Sequence, residues 1–577
     1  MYGQPLRLPS NMPLKFTEYK YEQPDLEKIR EEYKDLSEKF RNARSAKEQI
    51  ELIAESTRIQ NDFGTMFNVG CINFSIDVNN KFYEKARGYF NENYPEFGNI
   101  VRDFTKLIVN SKYRTELEQH FGKLYFRLLE LDLKFDDPGL SEHEIKENKL
   151  VTEYCKLIAS AKISFDGKVL NIGGLVPYMF STDRELRKKA IDAKWKFYND
   201  NADELDRIFD EMVKVRDLMA KKLGYKNYVY MGYDLMQRID YDQDDIAKFR
   251  NNISKYVIPL ITDLKQRQAK RLGLEKLMYY DTTLDFNSGN AVPKGSSKWI
   301  LDNAKKMYDE LSPETSEFFR YMTDRELMDL ENKPGKEGGG FCAYIENYES
   351  PFIFSNFNGT MGDVIVLTHE AGHAFQNYCS RYIKDRELRC PGAETCEIHS
   401  MSMELITFPW MEKFFKEDTD KFKFSLISSS ITYLPVGSAG DEFQQLIYEN
   451  PELTPDERNK LWLELEKKYI PDAENGDNEF LNAGRRWQTL GLIYERPFYF
   501  IDYALAQICA YEFWKRSEED LKKAMEDYTI LCKAGGTRPF LELLELAKLN
   551  SPFDEEAFKN NIYFVEDWLN KIDDSKF

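Results

Sequence analysis

Most of the chain carries the three- and four-residue spacing of apolar side chains that is typical of amphipathic helices. The first example follows Pro24, where apolar side chains recur every three or four positions and charged residues fill the gaps. These apolar positions are Leu26, Ile29, Tyr33, Leu36 and Phe40. Similar patterns within 48–63 and 82–135 predict further helices. We therefore expect an N-terminal helical region, bounded at residues 1–160.

Two short extended segments then interrupt the helical pattern. Residues 162–165 and 168–170 flank Asp166-Gly167, a pair that suits the positive φ angles of a type I′ turn. The spacing predicts a β-hairpin. A capping box at 182–185 predicts the start of a long helix that runs to about Leu223.

A second extended region lies in the middle of the chain. Residues 341–357 are aromatic and β-branched, and they predict two short strands broken at Pro351. The helical pattern resumes at about Gly362. The pattern as a whole predicts a mainly α protein with a small β-sheet in front of one helix, and we treat 161–577 as one region.

Composition narrows the possible partners. The 577 residues carry a net charge of −19, which argues against nucleic acids and anionic membrane surfaces as partners. No apolar run is long enough to span a membrane, and Met1–Lys20 contains no apolar stretch like a signal peptide. Eight scattered cysteines without CxxC spacing predict a reduced, cytoplasmic protein. A disulfide between Cys390 and Cys396 is the alternative, and the oligomeric state is left open.

Residues 369–373 read His-Glu-Ala-Gly-His, an HExxH motif. Two histidines four positions apart lie on one face of a helix, so His369 and His373 can reach one metal ion. Glu370 can then reach a metal-bound water. Zinc suits imidazole and carboxylate ligands, and catalysis needs one open position for water. The motif predicts a one-zinc hydrolase.

The third ligand decides the class of such an enzyme. A metzincin would carry a histidine at position 379, where this chain has Cys379. A downstream glutamate is the alternative, and the candidates are Glu387, Glu394, Glu397 and Glu404. Glu397 and Glu404 are seven residues apart and share a helix face, so one could bind the metal while the other orients a ligand histidine. His399 competes for the same role, but on a helix it points away from Glu397.

The motifs from residue 352 to residue 404 resemble those of the M3 metallopeptidases, the thimet oligopeptidase and oligoendopeptidase F family. The matching text is SNFNGT, LTHEAGHAFQ and EIHSMSMEL, with 23 residues between His373 and Glu397. The resemblance extends from about residue 160 to the C-terminus through FDG, FSTDR and GRRWQ. It implies that Glu397 is the third zinc ligand. It also implies two helical lobes around a deep substrate channel.

The same resemblance implies further site residues. The segment 497–507 matches a tyrosine-bearing segment in which Tyr503, with Tyr499, stabilises the oxyanion of the reaction. A strand before the zinc helix pairs with substrate in the family, and this predicts that a peptide adds alongside residues 352–357. The predicted contacts are Phe352, Phe354 and Asn356.

Two positions depart from the family pattern. The family usually has a histidine shortly before the tyrosine segment, where this chain has Leu492. Some members have a carboxylate one turn before the first zinc histidine, where this chain has Ile365. Both changes leave the expected metal ligands and general base in place, and their effect on activity is left open.

The sequence therefore predicts a zinc endopeptidase that cuts internal bonds of short oligopeptides, with Glu370 as general base. Two alternatives stay open. One is a non-catalytic or weakened peptide-binding homologue, and the other is a different HExxH enzyme such as a metallocarboxypeptidase. Cleavage preference, the physiological substrate and the use of another metal are not indicated by these residues.

Overall fold

The computed structural model describes residues 15–471 and 474–577, and the chain divides into two compact units. The first unit comprises Met1–Asp136, Pro293–Phe414 and Arg516–Leu549. The second comprises Asp137–Val292, Phe415–Lys515 and Asn550–Phe577. The sequence predicts no signal peptide in Met1–Lys20, and most of this segment lies outside the described residues.

Helices make up most of the first unit. Its first helix confirms the apolar pattern after Pro24: it spans Leu26–Asn42, and all five of its predicted apolar positions are buried. Asp25 caps this helix by accepting the amide of Lys28 at 3.1 Å. The α-helices assigned to the unit are Leu26–Asn42, Ala46–Ile76, Lys81–Val109, Arg114–Phe121, Lys123–Lys134, Ser297–Leu311, Pro313–Asp324, Gly362–Ser380, Arg386–Arg389, Ala393–Ile406, Glu412–Phe415, Phe540–Leu546 and the later part of Phe500–Ala534.

A three-stranded sheet also lies in the first unit. The middle strand of this sheet is Ser350–Phe357, which we call the central strand. Met328–Glu331 runs parallel along one side of it, and Phe341–Ile345, the edge strand, runs antiparallel along the other. Two strands were predicted here, and Pro351 lies within the central strand opposite Tyr344 rather than breaking it. The strand Met328–Glu331 is not predicted, because four residues of which two are acidic show neither an apolar run nor a clear strand pattern.

The second unit is also helical and contains the predicted hairpin. Ile163–Phe165 pairs antiparallel with Lys168–Leu170, and the turn residues Asp166 and Gly167 have φ angles of 49° and 71°. The α-helices assigned to the unit are Ser141–Ala159, Ile172–Met179, Arg184–Asp200, Ala202–Lys222, Tyr228–Leu235, Gln243–Asn252, Ile258–Arg271, Thr419–Glu449, Pro455–Tyr469, Glu479–Asn482, Gly491–Glu495, Glu555–Asn570 and the first part of Phe500–Ala534, with a π-helical turn at Ile253–Val257.

The start of the helix after the hairpin differs from the prediction. Asp183, not Thr182, is its cap: the carboxylate accepts the amides of Glu185 and Leu186 at 3.0 and 3.2 Å. The long run predicted to end near Leu223 is two helices, Arg184–Asp200 and Ala202–Lys222. An aspartate one position further on competes for the cap, and here one oxygen of its charged carboxylate accepts two amides at once.

A buried arginine joins several segments of the second unit. Arg216 donates to Glu147 Oε1 at 2.5 Å, to the Tyr448 hydroxyl at 2.8 Å and to the carbonyl oxygens of Ile493 and Tyr494 at 3.2 and 2.5 Å. These bonds satisfy a charge that would otherwise be costly to bury. The predicted mainly α class is confirmed in both units, and no described helix is long and apolar enough to span a membrane.

The cap assignment is testable with a matched pair of variants. We expect Asp183→Ala to destabilise the start of Arg184–Asp200 by about 1 kcal/mol, because two helix amides lose their acceptor. Thr182→Ala removes no cap bond and should change stability little. Hydrogen exchange of the Glu185 and Leu186 amides measures this locally. Equal effects of the two substitutions would contradict the assignment.

Candidate metal centre

The HExxH motif lies on the helix Gly362–Ser380, as predicted. One face of this helix is completely buried in the first unit. That face consists of Val364, Leu367, Ala371 and Ala374. It fixes the rotation of the helix, and His369 and His373 lie on another face, where both are only partly buried. Their rings are 5.0 Å apart between centroids.

The helix Ala393–Ile406, which we call the glutamate helix, packs against the HExxH helix with almost no space between the backbones. Gly372 makes this approach possible. A Cβ atom there would lie 2.4 Å from the carbonyl oxygen of His399 and 2.6 Å from the Cα of Ser400. Only glycine fits such a contact without moving one helix away from the other.

The two helices bring three potential metal donors together. Glu397 Oε2 lies 3.4 Å from His369 Nε2 and 3.6 Å from His373 Nε2. One potential donor atom from each of these three residues lies within 4.8 Å of the other two. On the other side of the ring, Glu404 Oε1 lies 2.7 Å from His369 Nδ1. This contact leaves Nε2 of His369 turned towards Glu397.

The two histidines differ in the direction in which their surroundings shift the pKa. Burial works against protonation of His369, but the nearby carboxylates of Glu397 and Glu404 outweigh it and raise its pKa well above the ordinary value. Burial lowers the pKa of His373 to about 4, and Glu397 opposes this only in part. His373 is therefore neutral at pH 7, which is the form that binds metal ions.

Glu370 lies beside this group and is buried. Burial raises the pKa of its carboxyl group to about 7; His369 lowers it, and Glu397 and Glu404 add to the rise. Its Oε2 atom is buried and has no hydrogen-bond partner among the described residues. A buried carboxylate oxygen without a partner is costly, so this atom is suited to bind a water or a substrate group.

Two supporting residues were not singled out from the sequence. Ser400 Oγ lies 2.9 Å from Glu397 Oε2, the oxygen that faces both histidines. The Tyr528 hydroxyl donates to the His399 carbonyl at 2.7 Å, on the segment that contacts Gly372. Ser400 could have been found from its position, since a residue three after Glu397 shares its helix face. Tyr528 is too distant in sequence for such an argument.

The remaining candidate ligands are outside the group of donors. His399 is fully buried, and burial lowers its pKa to about 3. It is not among the three residues whose donor atoms converge, and neither are Glu387 and Glu394. Asp363, the carboxylate nearest to Ile365, accepts the amides of residues 358 and 359 at 2.9 and 2.8 Å. It holds the start of the helix.

The predicted substrate strand needs correction. The central strand is paired on both sides over Ile353–Phe354, so no peptide can add there. Phe352 and Phe354 are buried, with at most 1% of their surface exposed. The Asn356 side chain donates to the carbonyl oxygens of Glu337 and Gly339 at 2.8 and 2.9 Å, so it holds its own loop. The prediction treated the most apolar strand as accessible, but apolar runs of this kind mark buried central strands.

The tyrosine segment begins at a constrained backbone position in the second unit. Phe498 has a φ angle of 67°, and its amide donates to Gln444 Oε1 at 2.9 Å. Arg238, fully buried, donates to the Phe498 carbonyl at 2.6 Å and to Asp502 Oδ1 at 2.7 Å. A Cβ at Gly232 would lie 2.6 Å from the Phe498 ring. These contacts determine the start of the helical segment Phe500–Ala534, which is interrupted by a kink at Asp520.

Tyr499 and Tyr503 lie side by side at that start. Their ring centroids are 5.0 Å apart, with the rings at 75° to each other, and both side chains are half-buried. The Arg496 guanidinium lies 4.3 Å from the centroid of the Tyr499 ring. Leu492, at the position of the missing histidine, is half-buried on the short helix Gly491–Glu495. The two tyrosines are therefore adjacent within this unit, and their role in catalysis stays a prediction.

Comparison with known proteins shows which family the chain is similar to. A profile of the peptidase M3 N-terminal domain matches residues 16–135, and a profile of peptidase family M3 matches residues 178–561. Oligopeptidase PepF of Bacillus subtilis is 22% identical over 92% of this chain and 83% of its own length. The predicted division at residue 160 falls between the two profile matches and stays a prediction.

Solved structures are more similar. PZ peptidase A with inhibitor 2 is 47% identical, with a TM-score of 0.91, over 97% of this chain and 100% of that one. A putative oligoendopeptidase F from Bacillus anthracis str. Ames is 46% identical, with a TM-score of 0.87, over 98% and 99% of the two chains. The fold and these matches define a metalloendopeptidase. The chain belongs to peptidase family M3.

The packing at Gly372 generates a testable prediction. We expect Gly372→Ala to push the two helices apart and to weaken metal binding roughly 10- to 100-fold, as the loss of supporting contacts does at other metal sites. Gly362→Ala, on the same helix, is the control, because its new Cβ meets only the tip of the Thr360 side chain at 3.2 Å. Titration with zinc measures both. Unchanged affinity in Gly372→Ala would show that the close approach is not required.

Proposed function

We propose that the protein is a zinc-dependent endopeptidase that hydrolyses internal bonds of short oligopeptides. The observation that supports this most is the convergence of His369, His373 and Glu397 from two helices. Glu370 as general base, with Tyr503 and Tyr499 as oxyanion donors, completes the proposed machinery. We also keep the prediction that it acts in the cytoplasm.

The residues fit a zinc ion. Two imidazole nitrogens and one carboxylate form a three-residue donor set that leaves a further position for water, as catalytic zinc sites do. Glu404 is hydrogen-bonded to the other nitrogen of His369, which is the arrangement that orients a ligand histidine. When bound, zinc would lower the pKa of a water and polarise the carbonyl of the scissile bond.

Glu370 is suited to move the proton. Its buried Oε2 has no hydrogen-bond partner in the described part of the chain, and burial raises its pKa to about 7. A carboxylate with a pKa near the working pH can take a proton from a water and later give it to the leaving amine. Glu370 is therefore assigned both transfers.

The edge strand is the better candidate for binding the peptide backbone. Pro351 has no N–H and lies opposite Tyr344, so that pair exchanges no hydrogen bonds, and the Tyr344 carbonyl instead accepts from Asn68 Nδ2 at 2.8 Å. By alternation, the N–H and C=O of Cys342 also point away from the central strand. The edge strand begins close to the proposed base, because a Cβ at Gly340, the residue before it, would lie 3.8 Å from Glu370 Oε1. Burial and then the charge of Glu370 raise the pKa of the Cys342 thiol.

The oxyanion role of Tyr503 and Tyr499 is supported by the resemblance in residues 497–507 and by the adjacency of the two rings. A phenol hydroxyl donates a strong hydrogen bond to an oxyanion, and this contact is made only as negative charge develops. Arg238 and Asp502 then act as positioning residues for this segment.

The central test is Glu370→Gln. The amide keeps the shape of the side chain but accepts no proton, so we expect zinc content to be unchanged and kcat to fall by roughly 10²- to 10⁴-fold. Cleavage of a quenched fluorescent oligopeptide, with and without a chelator, gives the rate, and product masses locate the cut.

Three outcomes would contradict the proposal. Wild-type activity in Glu370→Gln would remove the assigned base. Release of single C-terminal residues would indicate a metallocarboxypeptidase. Tight peptide binding by the zinc-loaded wild-type protein without turnover would indicate a peptide-binding homologue.

The tyrosines can be tested separately. We expect Tyr503→Phe to lower kcat by roughly 10²- to 10³-fold with little change in KM, because the hydroxyl acts on the developing oxyanion. Tyr499→Phe should have a smaller effect. Tyr563→Phe, at an exposed tyrosine of the same unit, is the control. A rise in KM alone would instead assign Tyr503 to substrate binding.

A further inference from the structure

Two thiols lie next to each other beside the glutamate helix. Cys390 follows the short helix Arg386–Arg389, and Cys396 lies in the first turn of Ala393–Ile406. Their sulfur atoms are 4.0 Å apart. Cys390 is exposed, whereas Cys396 is only partly exposed and lies directly before Glu397. Neither thiol has a role in the proposed peptide hydrolysis.

The backbone at Cys390 is held in place. The amide of Gly536 donates to the Leu388 carbonyl at 2.9 Å. A Cβ at Gly536 would lie 2.4 Å from the Cys390 carbonyl oxygen, so the two backbones are in direct contact. The Cys396 thiol in turn lies 3.5 Å from the Pro391 carbonyl oxygen. The pair is thus fixed at a short separation by the fold of this segment.

We propose that low-molecular-weight disulfides oxidise Cys390 and Cys396 to a reversible intramolecular disulfide. We further propose that this disulfide weakens metal binding by displacing Glu397. The second half rests on the proposed zinc site. A disulfide needs sulfur atoms about 2.05 Å apart, so the pair must close by roughly 2 Å. Because the Cys390 backbone lies against Gly536, the backbone movement falls on Cys396 and the first turn of the glutamate helix.

The exchange balances without any other reactant. The exposed Cys390 sulfur attacks the small disulfide, forms a mixed disulfide and releases one thiol. Cys396 then attacks the Cys390 sulfur, the mixed disulfide breaks and the second thiol leaves. Two protein S–H bonds are lost, one S–S bond forms, and two electrons and two protons pass to the two released thiols.

The consequence follows from the neighbours of Cys396. Glu397 is the next residue, and its Oε2 atom is held by Ser400 and faces both histidines at 3.4 and 3.6 Å. A shift of the first helical turn moves this oxygen, whereas Glu404 lies two turns further along. Oxidation therefore acts on one donor of three, and adding a thiol reverses it.

A peptide map tests the disulfide directly. The protein is incubated with glutathione disulfide, alkylated and digested with trypsin, which releases residues 390–413 as one peptide that contains both cysteines. We expect this peptide to lose two hydrogen atoms in mass and to escape alkylation. A stable glutathione adduct on Cys390, free thiols, or a link to a different peptide would overturn the proposal.

Metal affinity tests the coupling. Competition with a chromophoric chelator should show zinc binding at least tenfold weaker in the oxidised protein, restored by a thiol and unchanged in Cys390→Ser. Cys155→Ser, at another exposed cysteine, should behave as wild type. An internal disulfide with unchanged zinc affinity would refute the coupling. If the reduced protein binds no zinc, the proposed function fails, while the peptide map still decides the disulfide.

Discussion

The site depends on the direct contact between two helix backbones at Gly372. This contact places the glutamate helix close enough for Glu397 to face both histidines and for Glu404, seven residues on, to reach the other side of the His369 ring. From behind, the Tyr528 hydroxyl holds the same carbonyl that Gly372 touches. A single methyl group at residue 372 would separate the elements that supply the donors, so the geometry of the whole group follows from one glycine.

Burial then gives the group its chemistry. Two carboxylates, two imidazoles and Glu370 share a poorly solvated region, which is costly for their charges unless each has a partner. The response differs from residue to residue: the pKa of His369 rises, that of His373 falls to about 4, and that of Glu370 rises to about 7. A divalent cation among the three donors would compensate the negative charge of Glu397 and satisfy both Nε2 atoms. A bound cation would therefore both stabilise these buried groups and supply the proposed chemistry.

The sequence predicts local features well here and fails where partners are distant. The helix after Pro24, the hairpin around Asp166-Gly167 and the HExxH helix each follow from short-range periodicity or turn chemistry. The pairing of Phe352–Phe357 could not be predicted, because a run of apolar residues does not reveal which strand is central. Asp183 replaced Thr182 as cap because two good caps in succession compete. Ser400 and Tyr528 depend on contacts between helices that spacing alone does not fix.

The most direct test of the central claim is anomalous diffraction at the zinc edge from crystals of the zinc-loaded protein. A zinc ion held by these two helices should give one peak, about 2.0–2.2 Å from Nε2 of His369, Nε2 of His373 and a carboxylate oxygen of Glu397. Glu404 should remain hydrogen-bonded to His369 Nδ1. A peak bound by other side chains, or no peak between these three residues in a fully loaded crystal, would contradict the proposed zinc site.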